Sequence, residues 1–105
     1  MNWGNKEKDW EQLVTEIQSE IDANVSCIPV ERINDIQHYL AHDEYSMAFE
    51  YLFLELIERT GAKLTLGPEK ANEMALLFNL NDENECMIDG AFWGKFQTFL
   101  AKQSP

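Results

Sequence analysis

His38 and His42 stand four residues apart and run straight into Asp43 and Glu44, inside the stretch INDIQHYLAHDEYSMAFEYLFLELIE from Ile33 to Glu58. Side chains four apart share one face of a helix, so this pair could grip a metal ion, with Glu31 or Asp35 a turn or two earlier as a further ligand. The residue after His38 is Tyr39, where the HExxH arrangement of zinc hydrolases needs its glutamate, so no general base is built in. A solvated helix face that ends in histidine accounts for the same spacing, and no metal is expected. Nor is there a GxSxG, a P-loop or a GxGxxG, and neither Cys27 nor Cys86 has a basic or histidine neighbour that would favour the thiolate. Neither catalysis nor a cofactor is expected. The two cysteines lie outside any CxxC spacing and read as reduced, partly buried packing thiols.

The elements that position these residues follow from periodicity. From Asp9 to Ala23, Trp10, Leu13, Val14, Ile17 and Ile21 make the stripe of an amphipathic helix, whose other face is acidic with Asp9, Glu11, Glu16, Glu20 and Asp22. Pro29 suits the first position of a second helix that runs to about Ala41. At about 100° per residue, Val30, Ile33, Ile36 and Leu40 point one way, whereas Tyr45, Ala48, Phe49, Leu52, Phe53 and Leu56 centre roughly 140° away. One straight helix cannot bury both stripes, so a break belongs at Ala41-His42-Asp43. The third helix, about Asp43 to Thr60 and ending at Gly61, carries a second apolar patch of Met47, Tyr51 and Leu54, which makes it the central element. Leu66-Gly67-Pro68-Glu69 reads as a turn into a fourth helix striped by Ala71, Met74, Ala75 and Phe78. Asn79 to Asp89 is a polar, acidic loop or short helix. A last helix begins near Asp89 or Gly90, with Phe92, Trp93, Phe96, Phe99 and Leu100 along it. The fold class is all-α, a bundle of about five helices forming a single domain over residues 1–105.

Charge sets the partner class. The chain carries 19 acidic residues against 8 basic ones, a net charge of −11, and no Lys or Arg between Lys8 and Arg32, between Arg32 and Arg59 or between Lys70 and Lys95. Such a field repels nucleic acid and anionic membranes and attracts basic surfaces. The longest apolar run is MALLF, and MNWGNKEKDW has no apolar signal-type core, so neither a membrane span nor an export signal is expected and the location should be cytoplasmic.

The segment HYLAHDEYSMAFEYLFLELIE resembles the helix–turn–helix core of small bacterial immunity proteins of the MafI type, related in role to those of contact-dependent inhibition systems. In that family a helix ending in a histidine-containing turn leads into an E-Y-x-x-A-x-E-x-L pattern. The matching positions are His42, Glu44, Tyr45, Ala48, Glu50 and Leu52, with Asp43 at a turn position that is often small. LTLGPEKANEMALLFNL fits downstream, and the likeness covers about Ile28 to Leu80.

The resemblance implies binding of one cognate toxin C-terminal domain, often a nuclease, without catalysis. A nuclease site is basic because it holds phosphates, so an acidic cover would compete with nucleic acid there. The shared pattern is expected to specify scaffold, since Tyr45, Ala48 and Leu52 lie on the apolar stripe. Recognition is expected on exposed acids: Asp82, Glu83, Glu85 and Asp89 with Trp93, then Asp43 and Glu44 at the corner, with Glu31 and Asp35 behind. A small acidic secretion chaperone or adaptor is the alternative, and a nucleic-acid mimic or metal-binding helical domain are further rivals.

Overall fold

Leu13, Ile17 and Ile21 bring the first helix onto the core, and each is fully buried in the computed structural model, which describes residues 10–59, 62 and 64–103. The helices are α1 (Trp10–Ala23), α2 (Val30–Ala41), α3 (Tyr45–Ile57), α4 (Pro68–Leu77) and α5 (Phe92–Gln103), with a 3-10 turn at Glu83–Glu85. Among the described residues there is no strand, and the molecule is the all-α bundle of five helices that periodicity predicts. The Cα radius of gyration is 12.8 Å, close to the about 13 Å of a packed chain this long, so the helices share one core.

α3 is central, as its two apolar sides require. Ala48, Phe49, Leu52, Phe53 and Leu56 are buried, and α3 packs on α1, α2 and α5. Its seam with α5 is aromatic: Phe49 stacks on Phe53 with centroids 4.5 Å apart, and Phe96 meets Phe53 edge-on at 5.3 Å. Each buried phenylalanine removes enough apolar surface to contribute about 1.5–3 kcal/mol, and edge-to-face geometry adds to that.

The expected break falls where the two stripes demand it. α2 ends at Ala41, His42 caps it, and Asp43 takes φ +62 before Glu44 leads into α3. α3 is shorter than expected at both ends. Asp43 and Glu44 form the turn instead of the first helical residues, and the helix stops at Ile57 with Glu58 as its cap. The expected terminator Gly61 lies outside the described residues, as do Asp9 and Thr60. Pro29 stands one residue ahead of α2, and Val30 is 69% exposed at the end of its stripe instead of within it. Gly67, at φ +87, makes the turn into α4.

The acidic outer face assigned to the first helix needs one correction. Glu20 is fully buried. It falls in phase with Leu13 and Ile17, and its carboxylate accepts the Thr65 amide at 3.0 Å, the Leu66 amide at 2.9 Å and the Thr65 hydroxyl at 3.0 Å. These bonds fasten the segment before α4 onto α1 and give the buried charge the donors it requires.

Candidate functional site

Two further glutamates are buried, and their partners define what is held rigid. Glu55 forms an ion pair with Arg32 of α2 at 2.7 Å. Arg59 Nη1 lies 2.7 Å from Glu55 Oε1, but its aligned hydrogen bond, at 2.8 Å, goes to the Glu55 carbonyl. Arg59 Nε also donates to the Cys27 carbonyl at 2.8 Å, tying the end of α3 to the α1–α2 connection.

Glu50, 1% exposed, accepts three consecutive main-chain amides: Met87 at 2.9 Å, Ile88 at 3.2 Å and Asp89 at 2.8 Å. A core helix thereby grips the loop that precedes α5. Three N–H dipoles converge on this one carboxylate, and among the described residues no cation pairs with it. This clamp fixes Met87 (68% exposed) and Ile88 (43% exposed) at the surface of an acidic loop.

Beside it lies a shallow groove of about 370 Å³ between the start of α1, the α2–α3 corner and the loop after α4. Much of its lining is apolar: Trp10, Tyr45, Met47, Phe78 and Met87. Trp10 and Tyr45 meet at 5.2 Å between ring centroids, and the Tyr45 hydroxyl donates to Asp43 Oδ1 at 2.9 Å. Asp43, Glu44 and Glu85 line it too, with no Lys or Arg among the described lining residues. The Glu44 and Glu85 side chains are exposed and make no hydrogen bond or ion pair among the described residues.

The structure therefore brings together two sets of acids expected to act separately: the corner (Asp43, Glu44) and one member of the loop (Glu85). The others serve elsewhere. Asp89 holds Lys95 Nζ at 2.7 Å and the Ala91 amide at 2.8 Å, which keeps its carboxyl below the usual aspartate range. Asp82 accepts the Asn84 amide at 2.9 Å and caps the 3-10 turn, and Glu83 is exposed beside it. Trp93 is half-buried against Phe96, 5.7 Å between centroids, and does not line the groove. Glu31 is exposed in the first turn of α2, and Asp35 receives the Tyr51 hydroxyl at 3.3 Å; neither lines the groove.

Sequence reasoning placed Trp10 and Tyr45 inside their stripes and gave Met87 no role. The available signal was ECMID, an apolar pair flanked by acids in a loop that has no stripe of its own.

His38 and His42 stack, with ring centroids 4.2 Å apart. His42 Nδ1 lies 2.8 Å from the His38 carbonyl, which can only accept, so that nitrogen carries the proton. Among the described residues no three His, Cys, Asp or Glu side chains converge as a metal ion would need. Both cysteines are free and half-buried. Burial and the surrounding acids, Glu50 foremost, push the Cys86 thiol up, the reverse of what a nucleophile needs. No described helix is long and apolar enough to cross a membrane.

Comparison of the chain with protein-family models, with curated proteins and with solved structures finds no match.

Proposed function

We propose that this chain is a cytoplasmic immunity protein, which binds a cognate toxin domain in a stoichiometric complex and neutralises it without catalysis. The toxin surface it covers is basic, as a nuclease site is. The observation that carries this reading is how charge is distributed once the chain is folded. Arg32, Arg59, Lys70 and Lys95 are each engaged in an intramolecular ion pair. Meanwhile Glu31, Glu44, Glu83 and Glu85 stand exposed. Internal pairing engages these four of the five basic residues among those described, Lys102 being exposed with no ion pair there, and leaves the acid excess outward. An outward negative field steers a basic partner in, and salt screens it. The likeness of His42 to Leu52 to the immunity pattern supplies the class of partner.

The test is binding to the toxin domain encoded by a neighbouring reading frame, followed by calorimetry and a growth-protection assay. A one-to-one complex is expected, whose association rate falls at least tenfold between about 50 and 500 mM salt, because the field is then screened within a few ångströms. A toxin left fully active at equimolar inhibitor would refute the reading.

One observation favours the alternative of an acidic secretion chaperone or adaptor: the groove has a largely apolar lining that includes the 68% exposed Met87. That reading predicts a dimer and binding to unfolded segments of an exported protein, which light scattering and a client-peptide array would reveal.

A further inference from the structure

The groove has two characters that a partner must satisfy together. The charged residues of its described lining, Asp43, Glu44 and Glu85, are all acidic, so an occupant must bring cations. Its apolar lining offers two thioethers, Met47 and Met87, with the aromatic rings of Trp10, Tyr45 and Phe78, so an occupant must also bring bulky apolar surface. A polyphosphate backbone meets neither demand. A second copy of this chain, itself at net −11, meets the first poorly.

We infer that this groove docks one basic amphipathic segment of the protein partner, with Lys or Arg side chains on Asp43, Glu44 and Glu85 and one bulky apolar side chain seated between Met47 and Met87. The inference rests on the proposal that the partner is a basic protein, and it adds which surface is used and what chemistry the partner presents there. Glu50 is the positioning residue of this surface. It touches no partner, but its grip on the amides of Met87, Ile88 and Asp89 sets where one wall of the groove stands. Methionine suits a wall that must close over an incoming side chain, being unbranched and polarizable. The exposed Glu44 and Glu85 can reorient onto cations without breaking an internal bond.

The probe is a synthetic helical peptide with lysine on one face and leucine on the other, titrated into the full chain by NMR. Expected are shifts of the Met47 and Met87 methyls and the Trp10 indole, and at least tenfold weaker binding by Glu44→Lys, by Glu85→Lys and by a peptide with serine for each leucine. Equal binding of the serine peptide, or shifts confined to other surfaces, would overturn the inference. So would deletion of residues 1–9 moving the same methyl signals as far as the peptide does, since the chain's own N-terminal segment would then be the occupant. Concentration-dependent shifts with a doubled mass would assign the groove to a second copy, with the same consequence. The toxin domain separates this inference from the reading beneath it. If Met87→Lys and Glu85→Lys bind toxin as the parent does, the groove is wrong and neutralisation stands. If toxin does not bind but the peptide seats in the groove with its leucines required, the surface stands and the toxin reading falls.

Discussion

Glu50 shows how a single buried charge can organise a surface. Glu50→Ala removes the buried acceptor of three amides, so a loss of about 2–4 kcal/mol in unfolding free energy is expected by urea denaturation. Glu50→Gln keeps one acceptor oxygen and should lose less, while hydrogen exchange at the Met87 and Asp89 amides accelerates in both variants. Cys86 gives a second residue-scale expectation. Its raised thiol pKa means less thiolate at pH 8, so iodoacetamide should label it more slowly than a free cysteine, and the gap should narrow as pH rises. Labelling as fast as the free amino acid would contradict the burial and the negative surroundings that raise it. The buried glutamates were legible only in part. Glu20 sits in phase with Leu13 and Ile17, so a carboxylate in an apolar stripe was there to be seen. Glu50 and Glu55 lie on a helix apolar on two sides, where an acid must find donors; which donors could not be read, because Met87 is 37 residues from Glu50 in the chain.

At the scale of elements, the α2–α3 corner turns on Asp43 at φ +62. Aspartate and asparagine tolerate this left-handed region better than residues that are β-branched. Asp43→Asn should therefore be close to neutral, whereas Asp43→Val should cost about 1–2 kcal/mol through backbone strain, read as a lower urea midpoint with an unchanged slope. The position of this corner followed from the sequence because two stripes of different phase cannot share one straight helix. The start of α5 followed less closely, since Asp89 acts through its side chain from outside the helix. Its contribution to stability is pH-dependent. Because the folded carboxyl is held below its ordinary value, first by Lys95 and then by the Ala91 amide, the stabilisation is full above the unfolded aspartate pKa near about 4 and is lost as pH falls through the lower folded value. The difference in Tm between the parent and Asp89→Asn should accordingly be present at neutral pH, shrink through the carboxylate range and vanish at its acid end. Salt should reduce it as well, since Lys95 is half exposed.

For the whole molecule, the fold and the candidate groove were legible to different depths. Composition and periodicity carried the all-α architecture, because burying amphipathic stripes leaves few arrangements for five short helices. The groove was half visible: the acids of the corner and of the loop were singled out, but their convergence was not expected. That convergence is tertiary, produced when α3 pulls the loop before α5 toward its own N-terminal end. The Glu50 clamp has a consequence for how such a surface can change. It holds residues 87–89 wholly by their amides, so the fastening is indifferent to which side chains those residues carry. A library randomising Met87 and Ile88 should therefore yield mostly folded proteins with near-parental thermal midpoints, while affinity for any one partner scatters widely. A collapse of folding across such a library would show that these side chains also support the core. Anchored in this way, the loop can exchange its exposed side chains for others while the scaffold beneath it stays the same.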